Sequence, residues 1–120
     1  FESIKDKKNI TFEEIVSYMY KKTENIEASF CSKLLSTINP NVPIWDQYVL
    51  ANLDLYVKGK TKVEKLKDTI AVYNKIIEIE NNKLKQKDIQ QAIKDFKEYF
   101  PEYNLSDIKI LDYILWNSRN

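Results

Sequence analysis

Apolar side chains recur along this chain in steps of three and four residues, the spacing that places them on one face of an α-helix. Six stripes of this kind follow one another along the sequence. Each stripe predicts an amphipathic helix that buries its apolar face against its neighbours. The stripes consist of Phe12, Ile15, Val16 and Met19; Ile26, Phe30, Leu34, Leu35 and Ile38; Trp45, Val49, Leu50 and Leu53; Val63, Leu66, Ile70, Tyr73, Ile77 and Leu84; Ile89, Ala92, Ile93, Phe96, Tyr99 and Phe100; and Ile108, Leu111, Ile114 and Leu115.

Signals for helix ends stand at the borders of these stripes. Thr11 with Glu14, and Thr61 with Glu64, form capping-box patterns, in which the hydroxyl of the first residue and the carboxylate of the second accept backbone N–H groups. Residues 81–87 (NNKLKQK) are polar and predict a connection between the fourth and fifth helices. The sequence thus predicts where several of the helices begin and end.

Glycine and proline are scarce, with one glycine and three prolines in 120 residues. A β-rich fold needs many turn residues of these types, so the composition favours helices. We therefore predict a single compact all-α bundle of about six helices, forming one domain over residues 1–120. The sequence begins with Phe1 and not with Met, which is compatible with native residues preceding it.

The composition restricts the chemistry that is available. Apolar residues make up 43% of the chain and charged residues 31%, as in soluble globular proteins. No apolar run approaches the roughly 20 residues of a membrane-spanning helix, so we expect no membrane partner. A single cysteine favours a reducing compartment, so we expect a cytoplasmic protein. One cysteine and no histidine are present, which excludes an intrachain disulfide, histidine catalysis and nearly all zinc sites. We predict neither a metal nor a cofactor.

The charge is nearly balanced, with a formal net charge of +1. A dedicated DNA-binding domain is usually more basic, so any basic surface here must be local. Lysines gather ahead of the proline-containing segment in the middle of the chain and again around Gly59. Either group is a candidate for contacts with phosphates, and either is also typical of a solvated helix face. The candidate nucleic-acid-binding residues are Lys21, Lys22, Lys33, Lys58, Lys60 and Lys62.

The segment NPNVPIWDQYVLANLDL, residues 39–55, does not follow the pattern of an ordinary surface helix. Two prolines and Trp45 precede Asp46, which then opens an amphipathic run. An aspartate in this place is predicted to cap the helix, because its carboxylate accepts backbone N–H groups of the first turn. Asp46 is also the candidate catalytic carboxylate of this chain, and one aspartate can serve in both ways.

Two stretches of the chain, FCSKLLSTINPNVPIWDQYVLANLDL and LDYILW at positions 111–116, carry a family resemblance. Together they resemble the helix-hairpin-helix DNA glycosylase superfamily, and above all small bacterial proteins within it. In that family a helix leads into a proline-containing loop, and an aspartate then heads the next helix. Asp46 stands at the position of that aspartate. The match covers roughly residues 28–57 and 105–117.

The resemblance implies both a fold and a chemistry. The family excises damaged bases that are flipped out of the duplex, and a carboxylate at the Asp46 position stabilises the oxocarbenium-like sugar and activates water. The hairpin of this chain departs from the family, because KKTENIEASFCSK contains no glycine that allows close approach to a phosphate. Glu27 and Ala28 stand near the position of the family's lysine nucleophile, so Schiff-base chemistry has no residue. The implied fold is glycosylase-like with a degenerate hairpin.

Two functions are consistent with these observations. The first is a non-catalytic module, derived from a DNA glycosylase-like fold, that binds another macromolecule such as DNA or a protein. The alternative is a DNA-binding, monofunctional glycosylase-like hydrolase that uses Asp46 as its carboxylate.

The aromatic residues have two interpretations each. Trp45 and Trp116 either stack on a base or belong to the core. Tyr99, Phe100 and Tyr103, on either side of a proline, form either an edge that binds a partner or the closure of the bundle.

Overall fold

The computed structural model describes residues 10–117, and all regular secondary structure among them is α-helical. This confirms the prediction of an all-α chain of about six helices. None of these helices is long and apolar enough to cross a membrane. The helices are α1 (Phe12–Thr23), α2 (Ala28–Ile38), α3 (Gln47–Asn52), α4 (Lys62–Lys83), α5 (Lys87–Tyr99) and α6 (Asp107–Asn117).

The predicted capping signals begin α1 and α4. The Thr11 hydroxyl accepts the backbone N–H of Glu14 at 3.2 Å. Thr61 and Glu64 form a complete capping box, in which the Glu64 carboxylate also accepts the N–H of Lys60 at 2.9 Å. The connection between α4 and α5 is shorter than residues 81–87, because α4 continues for its last turn through polar residues.

A first core forms where α1 packs on both α2 and α4. At its centre Tyr73 of α4 is fully buried and its ring stacks on Phe12 at a centroid distance of 4.0 Å. The apolar stripes of α1 and α2 face this core as predicted, apart from Phe30, which is 51% exposed. The buried side chains of this core are Ile10, Phe12, Ile15, Val16, Ala28, Cys31, Leu35, Tyr73 and Ile76.

A second, smaller core joins α3 to α6, and α5 packs against α6 and places Ile89 at the edge of this core. Val49, Leu111 and Leu115 form this core. Of the apolar stripe predicted for α5, only Ile93 is buried. The rest of that stripe is partly or fully accessible, which leaves an aromatic face at the edge of the bundle.

The glycine that precedes α4 lies against the first turn of that helix. A Cβ atom at Gly59 would stand 2.5 Å from the backbone nitrogen of Lys65 and 2.6 Å from the carbonyl carbon of Glu64. Both atoms belong to helical backbone, which cannot move aside without opening the capped turn. Glycine is therefore required here for close approach and not for its backbone angles.

We predict that Gly59→Ala lowers the free energy of unfolding by about 1–3 kcal/mol, the usual range for overpacking. Urea denaturation followed by circular dichroism measures the difference. Lys58→Ala, an exposed neighbour, is the control and should leave the midpoint unchanged. Equal stability of Gly59→Ala and the native chain would contradict the close approach.

Candidate functional site

Residues 39–46 connect α2 to α3 and run between the two cores. Side chains of other helices bind the backbone of this segment. The buried Tyr73 hydroxyl donates to the carbonyl of Pro43 at 2.6 Å, and the Ser32 hydroxyl accepts the N–H of Trp45 at 2.7 Å. Because buried backbone groups need partners, these contacts set the path of the chain towards α3.

Asp112 of α6 provides a third contact and belongs to a buried pair of carboxyl groups. Its Oδ2 accepts the N–H of Ile44 at 3.1 Å. Glu80 of α4 is fully buried and lies within hydrogen-bonding reach of Asp112, which is 5% exposed. Among the described residues no other group reaches Asp112 Oδ1 or either carboxylate oxygen of Glu80. The two carboxyl groups therefore depend on each other for hydrogen bonding.

This arrangement requires one proton to be shared between the two acids. Burial raises the pKa of Glu80 well above its usual range, and the hydrogen bond to Asp112 and the charge of Asp112 raise it further. Burial also raises the pKa of Asp112, whereas the hydrogen bonds from Glu80 and from the Ile44 N–H act to lower it. The proton is therefore held on Glu80, which donates to the ionised Asp112.

Asp46 lies next to this pair at the start of α3. Its Oδ1 accepts the N–H of Tyr48 at 2.8 Å and that of Val49 at 3.4 Å, which are the bonds of an N-cap. The predicted cap is therefore confirmed. The same side chain also borders a concave surface, so the capping role and a position in a cleft occur together.

The cleft beside Asp46 has a volume of about 360 Å³, within the size range of small-ligand sites. It brings two lysines and two aspartates together, so its formal charges balance. Lys109 donates a hydrogen bond to Ser36 from one side of the cleft. An aromatic wall closes the other side. The lining residues are Lys33, Ile44, Asp46, Lys109, Asp112, Tyr113 and Trp116.

The two sequence motifs of the chain meet at this cleft. VPIWD contributes the Ile44 N–H that binds Asp112 of LDYILW. Further along, the side-chain amide of Asn52 donates to the carbonyl of Leu115. The aromatic rings of the two segments also touch, with Tyr48 edge-on to Trp116 at a centroid distance of 6.0 Å. The motifs are thus neighbours in space, although more than half the chain lies between them.

The six candidate lysines do not form one surface. Lys33 lines the Asp46 cleft, whereas the others lie in the last turn of α1 and just before or at the start of α4. Those two ends meet, because Lys62 Nζ donates to the carbonyl of Glu24 at 3.3 Å. The structure therefore places Lys33 in the cleft and Lys62 at the end of α1, where Lys21 and Lys22 also lie. Lys58 and Lys60 precede α4.

Of the remaining candidate residues, the structure places some in the core and others at the surface. Trp45 lies nearly parallel to Phe12, with ring centroids 6.3 Å apart, and packs against the first core. Trp116 is 36% exposed and lines the cleft.

Cys31 is buried, and burial raises its pKa to about 11, with a smaller contribution from Glu27. The thiol is therefore protonated at neutral pH and is not an activated nucleophile.

A second candidate site lies on the outer faces of α5 and α6 and in the turn between them. We call it the aromatic surface. Tyr99 is 82% exposed, Tyr103 57% and Tyr113 54%. Its rings form a continuous chain with centroid distances of 5.1 to 6.3 Å. The aromatic surface consists of Phe96, Tyr99, Phe100, Tyr103 and Tyr113.

Sequence reasoning missed the buried acids and Lys109. A signal for Glu80 was present, because it follows Tyr73 by seven residues and Ile76 by four, which places a carboxyl group on the buried face of α4. Asp112 directly follows Leu111 within an apolar segment. A charged residue on an apolar face predicts a buried partner, but the sequence does not identify that partner.

We predict that the carboxyl pair makes stability fall as pH rises. Because the folded pKa of Glu80 is raised, the folded chain keeps a proton that the unfolded chain releases above the ordinary carboxyl range. The free energy of unfolding should therefore decrease from about pH 5 to about pH 9. Glu80→Gln, whose amide donates to Asp112 without a titratable proton, should flatten this dependence and stabilise the chain at the upper end.

Urea denaturation across this pH range measures the effect. Glu78→Gln removes a carboxylate from the exposed side of the same helix and should leave the pH dependence of the native chain in place. Parallel pH profiles for the native chain and Glu80→Gln would exclude the shared proton.

Comparison with known protein families, with curated proteins and with solved structures finds no match to this chain.

Proposed function

We propose that this chain is a non-catalytic module that binds another protein through the aromatic surface. The observation that carries the proposal is the exposure of large aromatic rings on one continuous face, led by Tyr99 at 82% and Tyr103 at 57%. Contiguous apolar patches of this kind are rare on monomers unless they bind a partner.

The chemistry of the aromatic surface suits a protein interface. Tyrosine and phenylalanine are enriched at such interfaces, where they bury large areas with few rotatable bonds and often dominate the binding energy. Neighbouring rings such as Phe96 and Phe100, 5.1 Å apart, hold each other in place before any partner arrives. Binding therefore orders few additional side chains, which reduces its entropic cost.

The distribution of charge argues against a nucleic-acid partner. In the helix-hairpin-helix proteins that this chain resembles, the hairpin turn approaches a phosphate closely. The corresponding turn here joins α1 to α2 through residues 24–27 and carries the carboxylates of Glu24 and Glu27. Glu24 has a φ of 61°, a left-handed conformation that glycine adopts more readily. Glu24 and Glu27 offset part of the positive charge of Lys21, Lys22 and Lys62 beside this turn, which weakens its attraction for a phosphate.

A peptide-display selection tests the proposal. Peptides selected on the native chain should bind it and lose at least tenfold in affinity with Tyr99→Ser/Phe100→Ser, because truncated anchors typically cost more than about 1 kcal/mol each. Tyr56→Ser, which removes another exposed tyrosine, between α3 and α4, is the control and should bind as the native chain does. Peptides that bind both variants equally would place the binding site elsewhere.

Titration with duplex and single-stranded DNA at low salt is the complementary measurement. A protein that neutralises phosphates binds tightly at low salt and loses affinity steeply as salt rises. We expect no such binding. Tight, salt-sensitive binding that is lost on changing Lys60 and Lys62 to Glu would replace the protein-binding proposal with a nucleic-acid one.

A glycosylase-like enzyme is the second candidate function, and the position of Asp46 in the cleft favours it. The cleft contains an aromatic wall that includes Trp116, and Lys33 and Lys109 can meet phosphate oxygens. Two features weaken this candidate. Asp46 Oδ1 is already bonded to the start of α3, and the two lysines offset the negative charge that would stabilise a cationic sugar.

The Asp46→Asn variant distinguishes a capping role of Asp46 from a catalytic role. Asparagine caps a helix about as well as aspartate, so we expect unfolding to be unchanged within about 0.5 kcal/mol. Asp46→Ala, which removes the cap, should cost about 1 kcal/mol. We expect neither the native chain nor Asp46→Asn to release bases from lesion-bearing oligonucleotides. Base release by the native chain that disappears in the equally stable Asp46→Asn would establish the enzymatic candidate instead.

A further inference from the structure

We propose that the aromatic surface binds an extended, proline-rich segment that carries arginine or lysine. This inference rests on the proposed protein-binding function and specifies its partner. The site is the groove between the outer faces of α5 and α6, about 380 Å³ in volume. Its lining residues are Ala92, Asp95, Phe96, Tyr99, Phe100, Tyr113 and Ile114.

The charge at this groove is acidic although the whole chain is nearly neutral. Asp95 lines the groove, and among the described residues no lysine or arginine does. Glu102 lies in the exposed turn between Phe100 and Tyr103. A complementary partner is therefore cationic.

The lysines of α5 lie away from the groove. Lys94 and Lys97 line a different cleft, beside Glu98. Lys97 is also paired with Asp107 at 2.7 Å, which neutralises it locally. The negative charge of Asp95 is thus not cancelled by its own helix.

Asp95 is held in an orientation that suits a guanidinium or ammonium group. Its Oδ1 accepts the side-chain amide of Gln91 at 2.9 Å, one turn earlier on α5. Tyr99, four residues along the same helix, lines the same groove, so the carboxylate and the ring share one face of α5. A cation placed there binds the carboxylate and the ring face together, and both attractions strengthen when the groove is covered.

The aromatic rings favour an extended partner over a helical one. A polyproline II segment has no internal hydrogen bonds, so its carbonyl groups need donors from the surface that binds it. Tyr99 and Tyr103 combine flat apolar faces, on which proline rings pack, with hydroxyl groups that can donate. Aromatic-lined grooves bind proline-rich segments in this way, whereas a helix has already satisfied its backbone groups.

The experiment uses the full chain and a fluorescent synthetic peptide of prolines and leucines with two arginines at one end. Fluorescence anisotropy should show saturable binding to the native chain. Replacing the prolines of the peptide with alanine, or its arginines with glutamate, should weaken binding at least fivefold in each case. Tyr99→Ser should do the same, and Asp95→Asn should weaken only the arginine-containing peptide, by roughly threefold to tenfold.

Two control variants test whether peptide binding depends on the groove. Asp88→Asn removes an exposed carboxylate from the first turn of the same helix, and Tyr56→Ser removes an exposed tyrosine elsewhere. Both should bind the peptide as the native chain does. Circular dichroism of every variant verifies that the helices are intact.

Several outcomes would overturn the inference. Equal binding of the alanine- and proline-containing peptides, or no binding of either, would exclude a proline-rich partner. Sedimentation showing a dimer that Tyr99→Ser dissociates would assign the groove to a second copy of the chain. If display on the native chain enriches acidic or helical peptides that require Tyr99, the partner class is wrong while the protein-binding function stands. If no selected peptide requires Tyr99, both proposals fail.

Discussion

The binding of residues 39–46 by side chains of three helices is the constraint on which the rest of the structure depends. This segment crosses between the two cores without helical hydrogen bonds of its own, so its polar groups need other partners. Tyr73 from α4, Ser32 from α2 and Asp112 from α6 supply them. Each of these side chains is itself buried, so the path of the segment depends on the packing of all three helices. The position of α3, and with it the Asp46 cleft, follows from these contacts.

The buried acid pair shows what this arrangement costs. Asp112 is needed to bind the Ile44 N–H, but burying its carboxylate is unfavourable, and the charge of Lys109 offsets this only in part. Glu80 resolves the problem by holding a proton and donating it towards Asp112, so that one negative charge is buried instead of two. A lysine in place of Glu80 would introduce a long charged chain into a core that is packed around Tyr73. The carboxyl pair is thus a structural device at the edge of the cleft.

The cleft and the aromatic surface are adjacent, because Tyr113 lines both of them. The two sites differ in what they offer a ligand. The cleft contains balanced charges, and its carboxylates are already used to hold backbone N–H groups. The aromatic surface contains exposed rings and an acidic side chain, Asp95, that forms no ion pair with a lysine of residues 10–117. Exposed apolar area releases free energy when it is covered, whereas charges that are already satisfied must be desolvated first. This difference is why a binding role is better supported than catalysis.

The sequence alone determined the helical class, because the spacing of apolar residues and the caps Thr11, Thr61 and Asp46 are local properties of the chain. It also singled out the segments VPIWD and LDYILW. Only the tertiary structure decided which apolar face would be covered, since the stripe of α5 looks like a core stripe in sequence but lies at the edge of the bundle. The tertiary structure also decided that the carboxyl groups of Glu80 and Asp112 would lie together. The Ile44–Asp112 bond joins residues 68 positions apart, and periodicity carries no information about contacts at that separation.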